Sequence, residues 1–306
     1  MRILVVNNPL SGLRDGAIFN FVRNFLEAGD EVVLRNIDAT TPIADYVKDA
    51  QDFELVVASG GDGTISAACY AMRYSNIPIL PFPAGTGNLL VTNLNLPDEP
   101  IALAALARHP YLVDFDMAEV SYMIDGVRQT YGFTVAAGAG FDANIMKAAA
   151  NLKPTFGPGA YVLAAISRAN PTYSRFQLEL DDRVVTSEGI AVLLLNFAKI
   201  GPGLSITHGN NARDGLLEVT VLKPHNAVEL LPALFAAFLD RDGGFPGRAD
   251  AIETHLSATV RITADPPLLT QHDGETTGAV TPMDAQILPA AARLVVPAQT
   301  YAWLNP

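Results

Sequence analysis

Residues 55–72 read LVVASGGDGTISAACYAM. A fully apolar run, 55–58, ends in Ser59-Gly60-Gly61-Asp62-Gly63-Thr64 and leads into a helical stretch reaching Met72. Strand, glycine turn and helix in direct succession form the unit from which a parallel sheet with crossover helices is built. Its glycines let the backbone come close to a phosphate, and the helix N-terminus supplies N–H groups and a partial positive charge. Asp62 stands among them. A carboxylate beside phosphates is repelled unless a divalent cation bridges the two, so the turn implies magnesium. The structural alternative is a turn of small residues capped by Thr64.

Outward from this stretch, the apolar runs 3–6, 31–34 and 77–80 alternate with amphipathic segments. Ile18, Phe21, Val22 and Phe25 recur at helical spacing, as do Ile43, Tyr46, Val47 and Ala50. This half reads as doubly wound α/β. A second glycine loop, Pro81-Phe82-Pro83-Ala84-Gly85-Thr86-Gly87-Asn88, follows the run 77–80, and a third, Asn7-Asn8-Pro9-Leu10-Ser11-Gly12, leaves the first strand. In a parallel sheet, loops at the carboxyl ends of neighbouring strands converge on one crevice. After about Leu112 the pattern changes to long alternating strands at 118–124, 129–136, 176–180, 184–196, 217–222, 258–263 and 280–288, with turns such as Asp125-Gly126 and Asp181-Asp182. That is an antiparallel, β-rich second half, with helices expected at 143–150, 160–169 and 227–240. The expected domains are 1–120 and 121–289, with a final run at 293–297 that returns segment 290–306 to the first.

With 306 residues, 49% of them hydrophobic, the chain can bury two ordinary cores. A single cysteine, Cys69, cannot form an internal disulfide and reads as a buried small side chain. The N-terminal apolar run is too short for a signal peptide, and the apolar stretch 230–239 contains Pro232 and falls short of a membrane span. The cytoplasm is the expected compartment. A net charge of -12 argues against nucleic acid as a partner and against general attraction to anionic membranes. His208, His225, His255 and His272 lack zinc-ligand spacing and read as solvated or core residues, and neither a Gly-x-Ser-x-Gly elbow nor a Walker lysine motif occurs.

Asn8-Pro9 with Ser11-Gly12, then Gly60 to Thr64, then Gly85, Thr86, Gly87 and Asn88 resemble, in order and separation, the signature of the diacylglycerol kinase catalytic domain. Its superfamily includes sphingosine kinases and, more distantly, NAD kinases. The resemblance implies a nucleotide-binding α/β domain followed by a β-rich substrate domain, with the active site between them. It implies ATP and Mg2+ as cofactors, and a lipid substrate whose hydroxyl is phosphorylated during transient contact with a membrane surface. Nucleotide-binding positions carried over are Asn8, Thr40, Gly60, Gly61, Asp62, Gly63, Thr64, Ile65, Ser66, Gly85, Thr86, Gly87 and Asn88. Gly140-Phe141-Asp142-Ala143 looks like the family's segment at the start of the second domain, or else an N-cap by Asp142. Around Asp214-Gly215, the resemblance implies a structural magnesium held by the Asp214 carboxylate with the carbonyls of Asn211 and Leu216. A plain Asp-Gly turn is the other reading.

Gln271-His272-Asp273-Gly274-Glu275 matches the motif that carries the family's general base. An alcohol must lose its proton as it attacks phosphorus, so a carboxylate is needed there. Asp273 and Glu275 both qualify. Strand alternation would put them on one face, one taking the proton while the other orients it or holds metal. Where many diacylglycerol kinases have Asp after the Asn of the second loop, this chain has Leu89, as in sphingosine kinases and some bacterial relatives, which leaves the acceptor lipid open. An NAD kinase shares the Gly-Gly-Asp-Gly-Thr loop but carries an Asn-Glu pair that this chain lacks. A non-catalytic nucleotide sensor is a second alternative. A homodimer through an exposed strand edge is compatible with the pattern.

Overall fold

The computed structural model describes residues 1–12, 16–38, 40–140, 171–201, 204–205, 211–224 and 251–304. By its internal contacts the chain divides into two compact units, Met1–Met117 with Pro289–Pro306, and Ala118–Leu288.

The first unit runs β1 (Arg2–Asn7), α1 (Ala17–Glu27), β2 (Glu31–Asn36), α2 (Ile43–Tyr46), β3 (Leu55–Gly60), α3 (Asp62–Ala71), β4 (Ile79–Pro83), α4 (Leu89–Asn93) and α5 (Pro100–Arg108). Its strands β1 and β3 are buried along nearly their whole length, as expected of parallel strands covered on both faces. Helix α1 turns Ile18, Phe21 and Phe25 inward, and the Phe21 ring meets Phe82 of β4 edge-on at 5.6 Å. Strand β1 pairs in parallel with β2 on one side and β3 on the other, and β3 pairs in parallel with β4. The strand order thus reverses at β1, and the loops after β1 and β3 leave adjacent strand ends where an open α/β sheet forms its crevice.

The helix expected over 43–50 is only the single turn α2, followed by a 3-10 turn at Ala50–Asp52. Arg35 accounts for this: its guanidinium donates to the Tyr46 carbonyl, so the Ala50 N–H closes on Val47 instead. The same guanidinium pairs with Asp49, whose carboxyl it holds down at about 2.

The remaining strands are β5 (Tyr111–Ile124), β6 (Val127–Phe133), β7 (Ala136–Ala139), β8 (Ser174–Leu180), β9 (Arg183–Gly189), β10 (Ala191–Leu195), β11 (Lys199–Gly201), β12 (Leu204–Ser205), β13 (Leu217–Leu222), β14 (Ile252–Ser257), β15 (Thr259–Asp265), β16 (Leu269–His272), β17 (Glu275–Val280) and β18 (Met283–Val296), before helix α6 (Ala298–Leu304). In the second unit a six-stranded sheet runs β14-β13-β10-β7-β16-β17. In the other sheet β9, β8, β15 and the beginning of β18 pair antiparallel in that order, while β5 pairs with β18 and β6. Inward side chains of both sheets, among them Val120, Phe133, Leu178, Val192, Val219 and Ile262, share one core. The end of β18 belongs to the first unit, where Leu294 pairs in parallel with Ile79 of β4.

Three long runs read as single strands are each broken. The run 129–136 parts at Thr134 and Val135, which lie between β6 and β7. The run 184–196 parts after Gly189, where the chain leaves β9 in one sheet for β10 in the other. A Cβ on Gly189 would lie 2.2 Å from the Leu222 carbonyl oxygen, so the crossing is too close for any side chain. The run 280–288 parts between β17 and β18 at Thr281-Pro282. The helices expected at 143–150, 160–169 and 227–240, the apolar stretch 230–239 and Phe141, Asp142 and Ala143 lie outside the described residues. Among the described residues no helix is long and apolar enough to cross a membrane.

Candidate functional site

In the first unit the three glycine loops mesh. Asn8 is the joint: its N–H donates to the Ser59 carbonyl, its side-chain amide donates to Thr64 Oγ1 at 3.0 Å, and its Oδ1 accepts the Leu10 N–H. Behind it, Asn7 links the strand ends, accepting the Ser59 hydroxyl and donating to Asn36. The Gly61 N–H reaches Ser11 Oγ at 3.3 Å, and the Ala84 N–H reaches the Gly60 carbonyl. Asn88, in the left-handed region at φ 48°, folds its side chain back onto the N–H and carbonyl of Gly85. Close approach rules out side chains: a Cβ on Gly12 would lie 1.8 Å from the Ala84 oxygen, and one on Gly85 2.5 Å from the Gly61 Cα. Part of the glycine content therefore serves loop-to-loop packing.

Helix α3 begins at Asp62 with no side chain capping it; Thr64 is inside the first turn, engaged with Asn8, and is not the cap. The first-turn N–H groups are the donors an anion would use. Asp62 Oδ1 accepts the Leu90 N–H at 3.1 Å, which ties the start of α3 to the start of α4 one residue beyond Leu89. Ile65 and Ser66, also in the expected nucleotide-binding set, lie within α3. Both side chains are buried, and the Ile65 N–H is spent on the Gly61 carbonyl. Thr40 is exposed, but its N–H and hydroxyl both donate to Asp38, whose carboxyl these bonds and those from Thr41 hold far below the usual range. The loops thus bring together Asn8, Gly60, Gly61, Asp62, Gly63, Thr64, Gly85, Thr86, Gly87 and Asn88.

Among the described residues no group of three or more His, Cys, Asp or Glu is arranged to hold a metal ion. Magnesium bound with a nucleotide needs only one or two protein carboxylates, since phosphates and water complete its shell, so Asp62 fits that role by its donor chemistry. The Asp214 segment forms a turn closed by its own bonds. Asp214 Oδ1 accepts the Leu216 N–H, the Asn211 carbonyl accepts the Asp214 N–H at 3.4 Å, and Gly215 is left-handed at φ 74°. These are the bonds of a plain Asp-Gly turn.

In the second unit, Asp273 and Glu275 are not on one strand face. Asp273-Gly274, at φ 41° and 79°, form a two-residue turn joining β16 to β17, with His272 paired across it to Glu275. The Asp273 carboxylate is buried and accepts the N–H groups of Thr134 at 2.9 Å and of Val135 and Ala136 at 3.0 Å. It is this clamp that interrupts the run 129–136. These three bonds anchor the hairpin to 134–136. Glu275 is exposed at the start of β17.

Beside it, His272 is the core residue that one of its two sequence readings expects. His272 is buried, its Nδ1 lies 2.6 Å from the Tyr122 hydroxyl, and its ring stacks on Tyr131 at 4.8 Å. Burial pushes the imidazole below its ordinary value, opposed by the Glu275 charge, and pushes the Tyr122 phenol above its own. His255 instead meets Glu253 at 2.8 Å.

The model of the diacylglycerol kinase catalytic domain matches residues 2–120, and that of the YegS C-terminal NAD kinase beta sandwich-like domain matches residues 134–296. The chain belongs to the diacylglycerol kinase family. It is 29% identical over 315 residues to the diacylglycerol kinase of Mycobacterium tuberculosis, covering 97% of this chain and 95% of that one. It is 27% identical over 262 residues to the probable lipid kinase YegS of Escherichia coli, covering 83% and 82%. An uncharacterized Synechocystis protein is 27% identical over 267 residues, and this chain spans 58% of its length. In fold the chain is similar to a crystal structure of a diacylglycerol kinase from Bacillus anthracis, with TM-score 0.72, 18% identity and 98% of each chain covered. A yeast NADH kinase shares the fold more loosely, with TM-score 0.56 and 11% identity over 100% of this chain and 86% of that one.

Proposed function

We propose that this member of the family is an ATP-dependent kinase that phosphorylates a hydroxyl of diacylglycerol, a sphingoid base or a similar lipid. The observation that carries the reading is the meshing of the loops at Asn8, Gly60–Thr64 and Gly85–Asn88 around the uncapped start of α3. Backbone N–H groups there hold the nucleotide phosphates, and the helix dipole stabilises their charge. Magnesium bound with the nucleotide, with Asp62 as its protein carboxylate, would supply charge neutralisation at the transferring phosphoryl group. Glu275 takes the proton of the acceptor hydroxyl, because it is exposed while the neighbouring Asp273 carboxylate is engaged by backbone donors.

Purified protein is incubated with γ-labelled ATP, magnesium and, in separate tubes, detergent-dispersed diacylglycerol, detergent-dispersed sphingosine, and NAD. Label in an organic-soluble product is the expected result and names the acceptor class. Label in NADP alone replaces the lipid by a dinucleotide, and label in no tube removes the kinase reading.

A further inference from the structure

Glu275 begins a strand that is held by its neighbours from two directions. On one side of the turn Asp273 is clamped by three backbone donors from 134–136. On the other, His272 sits across the hairpin from Glu275 and is buried against the β5–β6 hairpin, bonded to Tyr122 and stacked on Tyr131. Tyr122 and Tyr131 also stack on each other, with ring centroids 5.7 Å apart. The Glu275 charge acts on both His272 and Tyr122, so all three belong to one electrostatic neighbourhood. An aromatic stack of this kind packs well with apolar rings alone. Placing an imidazole and a phenol there costs desolvation, which their hydrogen bond, together with the one between Tyr122 and Thr277, offsets. The bond also has a geometric effect, because a phenol and an imidazole tied at one atom pair fix the rotation of both rings.

We propose that Tyr122 and His272 are positioning residues for Glu275. Their buried hydrogen bond fixes the end of β16 on the β5–β6 hairpin, and Glu275, the residue paired with His272 across the turn, thereby starts β17 from a fixed backbone position facing the acceptor hydroxyl. This rests on the reading of Glu275 as the base. The role is one of support rather than contact with substrate, and support of this kind is worth roughly ten- to a hundredfold in catalytic sites.

The test measures label transfer from ATP to the acceptor found above, with kcat and the KM for ATP determined separately, and a thermal melt for each variant. Tyr122→Phe removes one oxygen and keeps the ring, His272→Phe keeps the stack and loses the bond, and His272→Gln keeps a polar partner for Tyr122. The expected result is a kcat about tenfold lower for Tyr122→Phe and His272→Phe, a KM for ATP within about twofold, and recovery of most of the loss in His272→Gln. On the Glu275→Gln background, Tyr122→Phe causes no further loss, since the pair acts through that carboxylate. A kcat unchanged in Tyr122→Phe, whatever the melt shows, overturns the proposal. Equal losses on both backgrounds also overturn it, while leaving Glu275 as the base. If Glu275→Gln alone turns over normally, or no acceptor takes label, the base reading fails and the proposal falls with it.

Discussion

Asp273 and Glu275 stand two positions apart in sequence, yet their removal is expected to have different consequences. Asp273→Ala leaves the amides of Thr134, Val135 and Ala136 without their acceptor in a buried setting. Each orphaned donor costs about 1–3 kcal/mol, and a loss near 3 kcal/mol lowers the melting midpoint by roughly 6–12 °C in a domain of this size. A calorimetric scan of Asp273→Ala with an unchanged midpoint would show the clamp to be dispensable. Glu275→Gln, by contrast, keeps an exposed polar side chain in place. Its melt stays within about 0.5 kcal/mol of the parent, while transfer to the lipid hydroxyl falls about a hundredfold. In Asp62→Ala the loss of a carboxylate from the phosphate loops also lowers turnover about a hundredfold, and a near-parental rate would remove Asp62 from the mechanism. The identities of these residues were legible in the sequence, but their surroundings were not. The donors that engage Asp273 come from positions 137–139 residues away, and no local pattern announces such a contact.

Elements explain where local pattern succeeded and where it failed. Strands β1 and β3 and helix α3 lie within one or two residues of their expected positions, because an apolar run followed by glycines and a helical period is a purely local signal. Residues 184–196 read as one strand, since nothing in them records that the chain changes sheets after Gly189. The loop elements make a sharp prediction: Gly85→Ala drives a Cβ to 2.5 Å from backbone at Gly61, so the second and first loops must part. ATP affinity measured by calorimetric titration is then expected to drop at least about tenfold, roughly 1.4 kcal/mol. The β16 strand makes another. His272 titrates below its ordinary value of 6.5 when folded, because burial disfavours its charged form. The unfolded chain therefore binds that proton first, and the stability contribution is complete above about pH 6.5 and is lost as pH falls from there through the folded value. Urea midpoints at pH 7.5 and 5.5 will differ more for the parent than for His272→Phe; equal differences would show that this imidazole does not contribute to the acid limb.

At the scale of the whole chain, the segment after Leu288 supplies buried residues and a strand to the first unit. Residues Ala291, Ala292, Leu294, Val295 and Val296 are buried, and Leu294 extends the parallel sheet beside Ile79. Within the same unit the Ala290 N–H donates to Asp116, Arg293 forms a two-point pair with Asp114, and the Tyr74 N–H reaches the Ala291 carbonyl. Burying one Leu and two Val side chains stabilises by about 1.5–3 kcal/mol each, some 5–9 kcal/mol together, against a total stability of about 5–15 kcal/mol for a domain. The glycine loops proposed to hold the phosphates lie between Asn8 and Asn88, so a chain ending at Leu288 retains every residue of that proposed site while losing the strand beside β4. Such a chain is expected to lose labelled-ATP binding and much of its helical circular dichroism at 25 °C, although its site sequence is intact. Binding of ATP by the shortened chain as tight as that of the parent would mean that the sheet β2-β1-β3-β4 is stable by itself and that the returning strand serves some other end.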